Sequence, residues 1–528
     1  YLSFYYKIKD MKKIMYLYEN CKMPLRTAFF GFMLMAFGFL IKNENVNIFY
    51  TFSNTYLLMF ADGCALLGQT IVSNLPLIFM IYLVCKKANS GIPILLALVG
   101  YFSFLITMTL FVPQNLSSIA YTTNSGINAM ININGNAKYP LETGMIGAFV
   151  VAFITRFSYI RSRHRSSHSL LGFLHKDSAA LIYNVVLCTA TGMLFSYVGP
   201  LFYTYFAKGI VYISKNLDDP YKMLIYGFLD QTMSILGLSN AIRYPFWFTS
   251  LGGSFQTLSG QSIVGDVNIW QYVKDSVTTY TGAGRFITPY YVINLFMVPA
   301  CYLGIYLSFT DKETKIKMLL PLILISLISI VCGSPLPLML FLLFTSPLLL
   351  LCFVFIAACV YGYFTYASVY LGSSISNYST ITALPGSFPD FIINIRSINH
   401  YDAIISIIMV GIICFVLVLA SCILYYRHLC YMVVNPTKDE KTIKDIIEKL
   451  GGLDNIEGAS SGLLEVNFNL VDIENINTEE LSTLAVPKIF ETKTGVTLEM
   501  GSSSYIIAKY VNKYISEKDV KVESVEVE

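Results

Sequence analysis

Charge is what this chain has least of. Only 13% of its 528 residues are Asp, Glu, Lys or Arg, against roughly 25% in an ordinary soluble domain. From Met318 to Pro389 there is no charged residue and no His. Such a run excludes a water-soluble core. A bilayer's hydrocarbon layer takes roughly 20 apolar residues per crossing helix, so 318–361 holds about two. Reactive cysteine is also missing. All 11 Cys lie between Cys21 and Cys430, mostly in apolar stretches, where they read as small packing residues. No CxxC pair or Cys/His cluster has metal-ligand spacing, so neither a metal nor another cofactor is expected. No Walker loop is present, which argues against ATP-driven transport, and nothing points to nucleic acid. At the start, Lys7, Lys9, Lys12 and Lys13 are not followed by a short apolar stretch with a small-residue cleavage site, so no cleavable signal peptide is expected there.

What the chain does have is 55% hydrophobic residues, 15% of the total being aromatic. That is the composition of an integral membrane protein. Candidate spans are 27–42, 71–85, 91–112, 141–160, 178–207, 289–309, 317–333, 337–361 and 403–426. Segment 48–70 carries Asp62 and other polar residues, and it either crosses, lies in the interface or re-enters. Basic clusters at Lys7 to Arg26, Lys86-Lys87, Arg156 to Arg165, Lys312 to Lys317 and Arg427 sit near span ends. If all are cytoplasmic, an even number of crossings separates each from the next. The spans after Lys317 break that parity, so one more crossing or a re-entrant hairpin is expected within 362–402. The expectation is about eight to ten crossings with both chain ends inside. Segment 113–139 reads as an external loop, and the polar, interrupted segment 216–288 as a functional one.

Gly333-Ser334-Pro335-Leu336-Pro337 breaks the longest apolar run. Such a break is either a turn between two spans at the membrane surface or a discontinuous helix of the kind that marks a transporter's binding site. Beyond Cys430 the composition changes. From Asn435 onward ten Lys face eighteen Asp plus Glu, a tail of −8, which leaves about +11 of the overall +3 on the membrane part. The tail reads as a helix at 438–450, an alternating strand at 463–471, strands near 486–491 and 495–500, and a closing helix near 502–516. The domains expected are a membrane domain 1–430, a linker 431–437 and a soluble domain 438–528. The fold class is an α-helical polytopic membrane protein with re-entrant hairpins and a small C-terminal α/β domain.

Asn74-Leu75-Pro76-Leu77-Ile78-Phe79 resembles the NxPLIF pattern of the bacterial sugar phosphotransferase system's enzymes II, in the glucose/maltose/N-acetylglucosamine family. Ile225 to Gln231 followed by Gly237-Leu238 resembles that family's YGFxER…GLHH. Pro245-Phe246-Trp247 and Gly284-Arg285-Phe286 resemble the segments that come next, and Pro299-Ala300 matches part of LPAA. In the tail, Leu450-Gly451-Gly452-Leu453-Asp454-Asn455-Ile456 resembles LGGxENI, and Gly495-Val496 to Gly501 resembles GVQxIxG. The resemblance implies a dimeric membrane domain (IIC) closing around one sugar, fused to a IIB domain whose phosphorylated Cys hands its phosphoryl group to that sugar. A separate IIA or IIB phosphocarrier is an implied partner, and the bacterial plasma membrane the implied location.

Where the family pattern carries chemistry, this chain departs from it. Counting along the motifs, the IIB Cys position falls on Gly462 and its two Arg positions on Glu465 and Asn467. Both Glu positions of the TEPIEF motif fall on Leu336 and Met339. Phosphoryl transfer through an enzyme intermediate needs a nucleophile and positive groups, and deprotonating the attacking sugar hydroxyl needs a base. The ER pair falls on Asp230 and Gln231 and the His pair on Ser239 and Asn240. These four, with Arg243, are the candidate sugar-binding residues, and Trp247 is the candidate stacking platform. They either bind sugar hydroxyls or satisfy irregular backbone in 216–260. Arg161, Arg163, His164, Arg165 and His168 form either a phosphate- or lipid-binding loop or a solvated positive-inside loop. The expected function is sugar transport in a phosphoenolpyruvate-dependent phosphotransferase system, without phosphorylation of the sugar by this chain alone. The alternative is a catalytically silent pseudo-transporter that senses sugar or scaffolds a partner.

Overall fold

The computed structural model describes residues 23–41, 54–85, 91–116, 120–121, 138–163, 176–257, 260–274, 282–309, 312–373, 385–395, 401–426, 440–461, 465–473, 476, 489–492, 495–500 and 504–525. The linker 431–437 and Gly462 lie outside them.

Among the described residues, eight helices are long and apolar enough to cross a membrane. In chain order the membrane half contains α1 (Met23–Ile41), α2 (Thr55–Ser73), α3 (Leu75–Cys85), α4 (Ile92–Phe111), α5 (Gly144–Arg163) and α6 (Lys176–Ser214). They are followed by α7 (Pro220–Ile235), α8 (Ser239–Phe248), the hairpin β1 (Ser254–Gln256) and β2 (Ser262–Val264), and α9 (Asp266–Val273). Then come α10 (Thr288–Ser308), α11 (Lys312–Cys332), α12 (Leu336–Thr345), α13 (Pro347–Ala367), α14 (Phe388–Ile395) and α15 (Tyr401–Leu424).

Within 54–85 the chain forms two helices. Asn54 caps α2, its Oδ1 accepting from the N–H groups of Tyr56 and Leu57 at 3.0 and 3.4 Å. The chain breaks at Asn74 and restarts as α3, so the span expected at 71–85 is an 11-residue helix and the candidate crossing is α2. Helix α5 runs antiparallel to α4 and α6, which run parallel to each other. Leu96, Tyr159 and Ala180 meet at one end; Val112, Leu141 and Tyr203 share a cluster toward the other.

The run 312–367 forms three helices where two were expected. The break after Cys332 falls on the Gly/Ser/Pro stretch. There the Leu336 N–H meets Ser334 Oγ at 3.4 Å. A second break falls at Ser346, inside the expected span 337–361, and the Ser346 hydroxyl is within 3.0 Å of the Tyr426 hydroxyl. Broken helices survive at membrane depth only where protein or water meets the freed polar groups, and both breaks find a side chain to do so. Within 362–402, the short helix α14 packs against α10. Asn294 Nδ2 donates to Gly386 O at 3.1 Å, and Asn394 Nδ2 donates to the Tyr291 hydroxyl at 2.8 Å and to Gly372 O at 3.1 Å. Asn294 lies in a π-helical turn, 293–297, just before Pro299, which has no N–H to give.

The tail forms α16 (Glu440–Lys449), β3 (Ile456–Ser461), β4 (Glu465–Leu470), β5 (Ile489–Thr492), β6 (Gly495–Glu499) and α17 (Ser504–Val525). The antiparallel sheet runs β3-β4-β6-β5. Val466, Phe468 and Leu470 point to one face and pack with Ile446, Leu450, Leu498 and Val511 in a cluster built from tail residues alone. Strand β3 is an addition to the expected set: its sequence IEGASS has no apolar alternation, and pairing with β4 imposes its shape.

Candidate functional site

The candidate site is made by a helix, a tight turn and a second helix folding back on it. Helix α7 starts at Pro220, capped by Asp219, whose Oδ1 accepts the Tyr221 N–H at 3.0 Å. It stops at Gly237, which takes φ +73, a conformation that glycine adopts without a Cβ penalty. The Leu238 N–H reaches back to Met233 O at 2.8 Å and the Gly237 N–H to Ser234 O at 3.1 Å. These bonds satisfy the last carbonyls and turn α8 so that Arg243 faces α7. Gly227 sets the other wall: a Cβ there would strike the Tyr361 ring, so its absence lets α7 and α13 pack closely.

Asp230 is at the centre and fully buried. Its Oδ1 accepts Arg243 Nε at 2.7 Å. Its Oδ2 accepts Gln231 Nε2 at 2.9 Å, the Tyr290 hydroxyl, and the Tyr361 hydroxyl at 3.4 Å. Arg243 also donates through Nη2 to Ser234 Oγ at 2.6 Å, and Ser234 Oγ donates to the Asp230 carbonyl at 2.7 Å. The guanidinium lies over the rings of Tyr290 and Trp247, 5.2 and 5.7 Å from their centroids, a favourable cation–π placement. Trp247 Nε1 donates to the Tyr226 hydroxyl at 3.3 Å. Tyr226 is packed edge-on against Phe246, Phe286 and Tyr361. A carboxylate offers about four acceptor positions, two on each oxygen; here three side-chain donors converge on Oδ2 and one meets Oδ1. The unmet atom in the cluster is the buried Gln231 Oε1.

The structure therefore brings Asp230, Gln231 and Arg243 together, with Trp247 stacked as a platform under arginine. Asn240 sits three residues before Arg243 on α8, on the same side of the helix. Ser239 begins α8, four residues before Arg243. Leu336 and Met339 lie on α12, with Met339 in the apolar core, so no carboxylate reaches the cluster from that side. Tyr290, Tyr361, Tyr226 and Ser234 were not singled out from the sequence. With 38 Tyr in the chain, nothing in the local sequence marks these three.

A second polar group lies nearby in sequence. Asp266, 1% exposed, accepts the Gly284 N–H at 2.9 Å through Oδ1. Burial pushes its carboxyl up from 3.8 to about 7, against the opposing pull of Arg285 and three backbone N–H groups. Arg285 Nη2 reaches Asp218 at 2.9 Å and its guanidinium lies 5.1 Å from the Tyr370 ring centroid.

In the tail, Glu465 stands directly across from Glu499 on the neighbouring strand, and Asn467 across from Thr497, whose Oγ1 donates to Asn467 Oδ1 at 2.7 Å. A carboxylate at position 465 would repel a phosphate.

The family model described as "Phosphotransferase system, EIIC" matches residues 23–359. That stretch runs from α1 into α13 and includes α7, α8 and the Asp230–Arg243 pair. With its membrane-spanning helices and this match over more than half its length, the chain belongs to the EIIC family of the phosphotransferase system, the sugar-transporting membrane components of that system.

Proposed function

We propose that this chain moves a sugar across a bacterial plasma membrane through the region around Asp230, and that it does not phosphorylate that sugar by itself. The observation that carries the proposal is the Asp230–Arg243 pair, a buried carboxylate and guanidinium at 2.7 Å between aromatic rings. Polar groups of opposite charge beside an aromatic face are what a sugar's hydroxyls and apolar ring faces require. Asp230, Gln231 and Arg243 are the proposed first contacts, with Asn240 and Ser239 at the head of the same helix and Trp247 beneath the ring. Because three donors already crowd Oδ2, a sugar hydroxyl that takes this oxygen displaces one of them, most simply the Tyr361 hydroxyl at 3.4 Å.

The tail is proposed to be a IIB-like domain, 438–528, that has lost the phosphate-handling groups, and the chain to be of the glucose/maltose/N-acetylglucosamine branch. In support, the tail has no Cys or His, and Glu465 and Asn467 stand at the two positions where the family pattern has Arg. A separate IIB or IIA phosphocarrier would then supply the phosphoryl group. A homodimer is proposed from the family resemblance.

A second reading, a silent sugar sensor, draws on the same geometry: a carboxylate already saturated by its own protein favours a locked state. Uptake of labelled sugar by liposomes containing the purified chain decides between them. Flux supports carriage, and binding without flux supports sensing. Labelled phosphoenolpyruvate with the general phosphocarrier proteins tests the tail: label on residues beyond 437 would overturn its part of the proposal.

A further inference from the structure

Helix α6 is much longer than a bilayer needs. Its 39 residues span roughly 58 Å at 1.5 Å per residue, nearly twice the hydrocarbon thickness of about 30 Å. Between Asp177 and Lys208 it carries no charged residue, and Lys208 and Lys215 follow. Lys208 therefore marks one membrane–water boundary, where long basic side chains are favourably placed.

Two cavities lie along this helix and meet at Tyr203. The first, about 540 Å³, is lined by Asn115, Thr204, Lys208, Tyr212 and Lys215 among others, and none of its described lining residues is acidic. Lys208 and Lys215 are seven residues apart, two helical turns, and so share one face. The second cavity, about 380 Å³, is almost wholly apolar and is lined by Leu194, Phe195, Val198, Phe202 and their neighbours. The one carboxylate at its edge, Glu142, is engaged through Oε1 by the Gly144 N–H at 3.2 Å. Tyr203 is held between the cavities by its hydroxyl, which donates to the Glu142 carbonyl. Both volumes fall within the range of small-molecule sites, roughly 300–1,000 Å³. Val198 and Lys208 are ten residues apart, about 15 Å along the helix. That is the reach from a phospholipid's phosphate into its acyl chain.

We propose that these two cavities form one site for an anionic phospholipid, with its phosphate against Lys208 and Lys215 and an acyl chain lying over Val198 and Phe202. The polarity runs in the direction a bilayer imposes: the ammonium groups are at the boundary, and the apolar cavity is on the side of the uncharged stretch. A soluble anion would use only the first cavity and leave the apolar one without a role. None of Asp230, Gln231, Ser234, Arg243, Tyr290 or Tyr361 lines either cavity, so this site stands independently of the sugar site.

The test uses the full-length chain purified in a non-ionic detergent, with native mass spectrometry reading retained lipid after addition of phosphatidylglycerol or phosphatidylcholine. One phosphatidylglycerol per chain is expected, with phosphatidylcholine retained at least tenfold less. The pair Lys208→Gln and Lys215→Gln is expected to lower phosphatidylglycerol retention about tenfold, and Lys208→Arg with Lys215→Arg to keep it. Val198→Trp, which fills the apolar cavity, is expected to weaken a long-chain lipid and leave a dibutanoyl analogue unchanged. Equal retention of the two lipids overturns the proposal, as does wild-type retention by the glutamine variants. It also fails if inorganic phosphate displaces the lipid at equal concentration, since that would make this a soluble-anion site. Cross-linking at Cys introduced at Val211 that joins two chains with no lipid retained would assign the surface to a second copy and overturn it as well.

Discussion

The Asp230 cluster and the β4–β6 face of the tail are the two places where the family resemblance implies phosphoryl-transfer chemistry, and they depart from it in different ways. Around Asp230 the polar groups are still present and have turned to one another: the carboxylate, guanidinium, amide and phenols form a closed set. On β4 the residues at the family's Arg positions are Glu465 and Asn467, the latter bonded to Thr497. Motion can rearrange the first set of groups; it cannot supply a side chain that the second does not have. On the proposed reading, that difference is how a chain would bind a sugar without phosphorylating it.

The comparison is best broken at Asp230. Asp230→Ala strands Arg243 in a buried setting, and losing one partner of such a pair typically costs about 3–5 kcal/mol. A large drop in the unfolding midpoint is expected in detergent, together with loss of sugar binding. Asp230→Leu combined with Arg243→Met is expected to regain most of the stability and none of the binding. If the single variant unfolds like wild type, the cluster is not a tightly coupled unit.

Asp266 gives the next effect. Its carboxyl is raised from 3.8 to about 7, so the folded state holds its proton more tightly than the unfolded chain does. Its contribution is complete below about pH 4, declines as pH rises through about 7 and is flat above that. The change is of the order of a few kcal/mol. Hydrogen exchange of the 282–288 backbone against pH should show that decline, and Asp266→Asn should flatten it. A pH-independent exchange rate in the wild type would remove Asp266 from the account.

Tyr290→Phe sharpens the comparison. It deletes one donor to the Asp230 carboxylate at a cost of about 1 kcal/mol, and it opens one acceptor position. If the saturated carboxylate is what keeps sugar out, isothermal titration should show tighter sugar binding in this variant than in wild type. Weaker binding would make the phenol a direct sugar contact.

The smallest effect belongs to the tail. Glu465→Gln removes a half-buried carboxylate from β4, a change in cross-strand interactions worth about 0.2–1 kcal/mol. Exchange of the β4 and β6 amides in the full-length chain is expected to shift by no more than that, with no gain of label from phosphoenolpyruvate. Gain of label would show that this carboxylate alone had blocked phosphoryl transfer.

Some of this was readable in the chain. The uncharged stretches located most of the spans, because a bilayer accepts little else. The 333–337 break was visible as punctuation, since proline and glycine act through their own backbone. Asp230, Gln231 and Arg243 were candidates from motif order. The second break, at Ser346, had a local sign in the following Pro347, but the expected span was read through it. Strand β3 had no sign at all: IEGASS becomes a strand because β4 lies beside it. Tyr290 and Tyr361 come to Asp230 from 60 and 131 residues away, and no short pattern carries that information.

Composition and order along the chain were enough to establish a membrane-spanning protein and an acidic Cys-free tail, because each depends only on which residue stands where. The pairing of Asp230 with Arg243, the tyrosines that close over it and the paired cavities beside α6 were decided by tertiary structure, because a buried carboxylate takes its donors from whatever elements the packing brings within 3 Å or so.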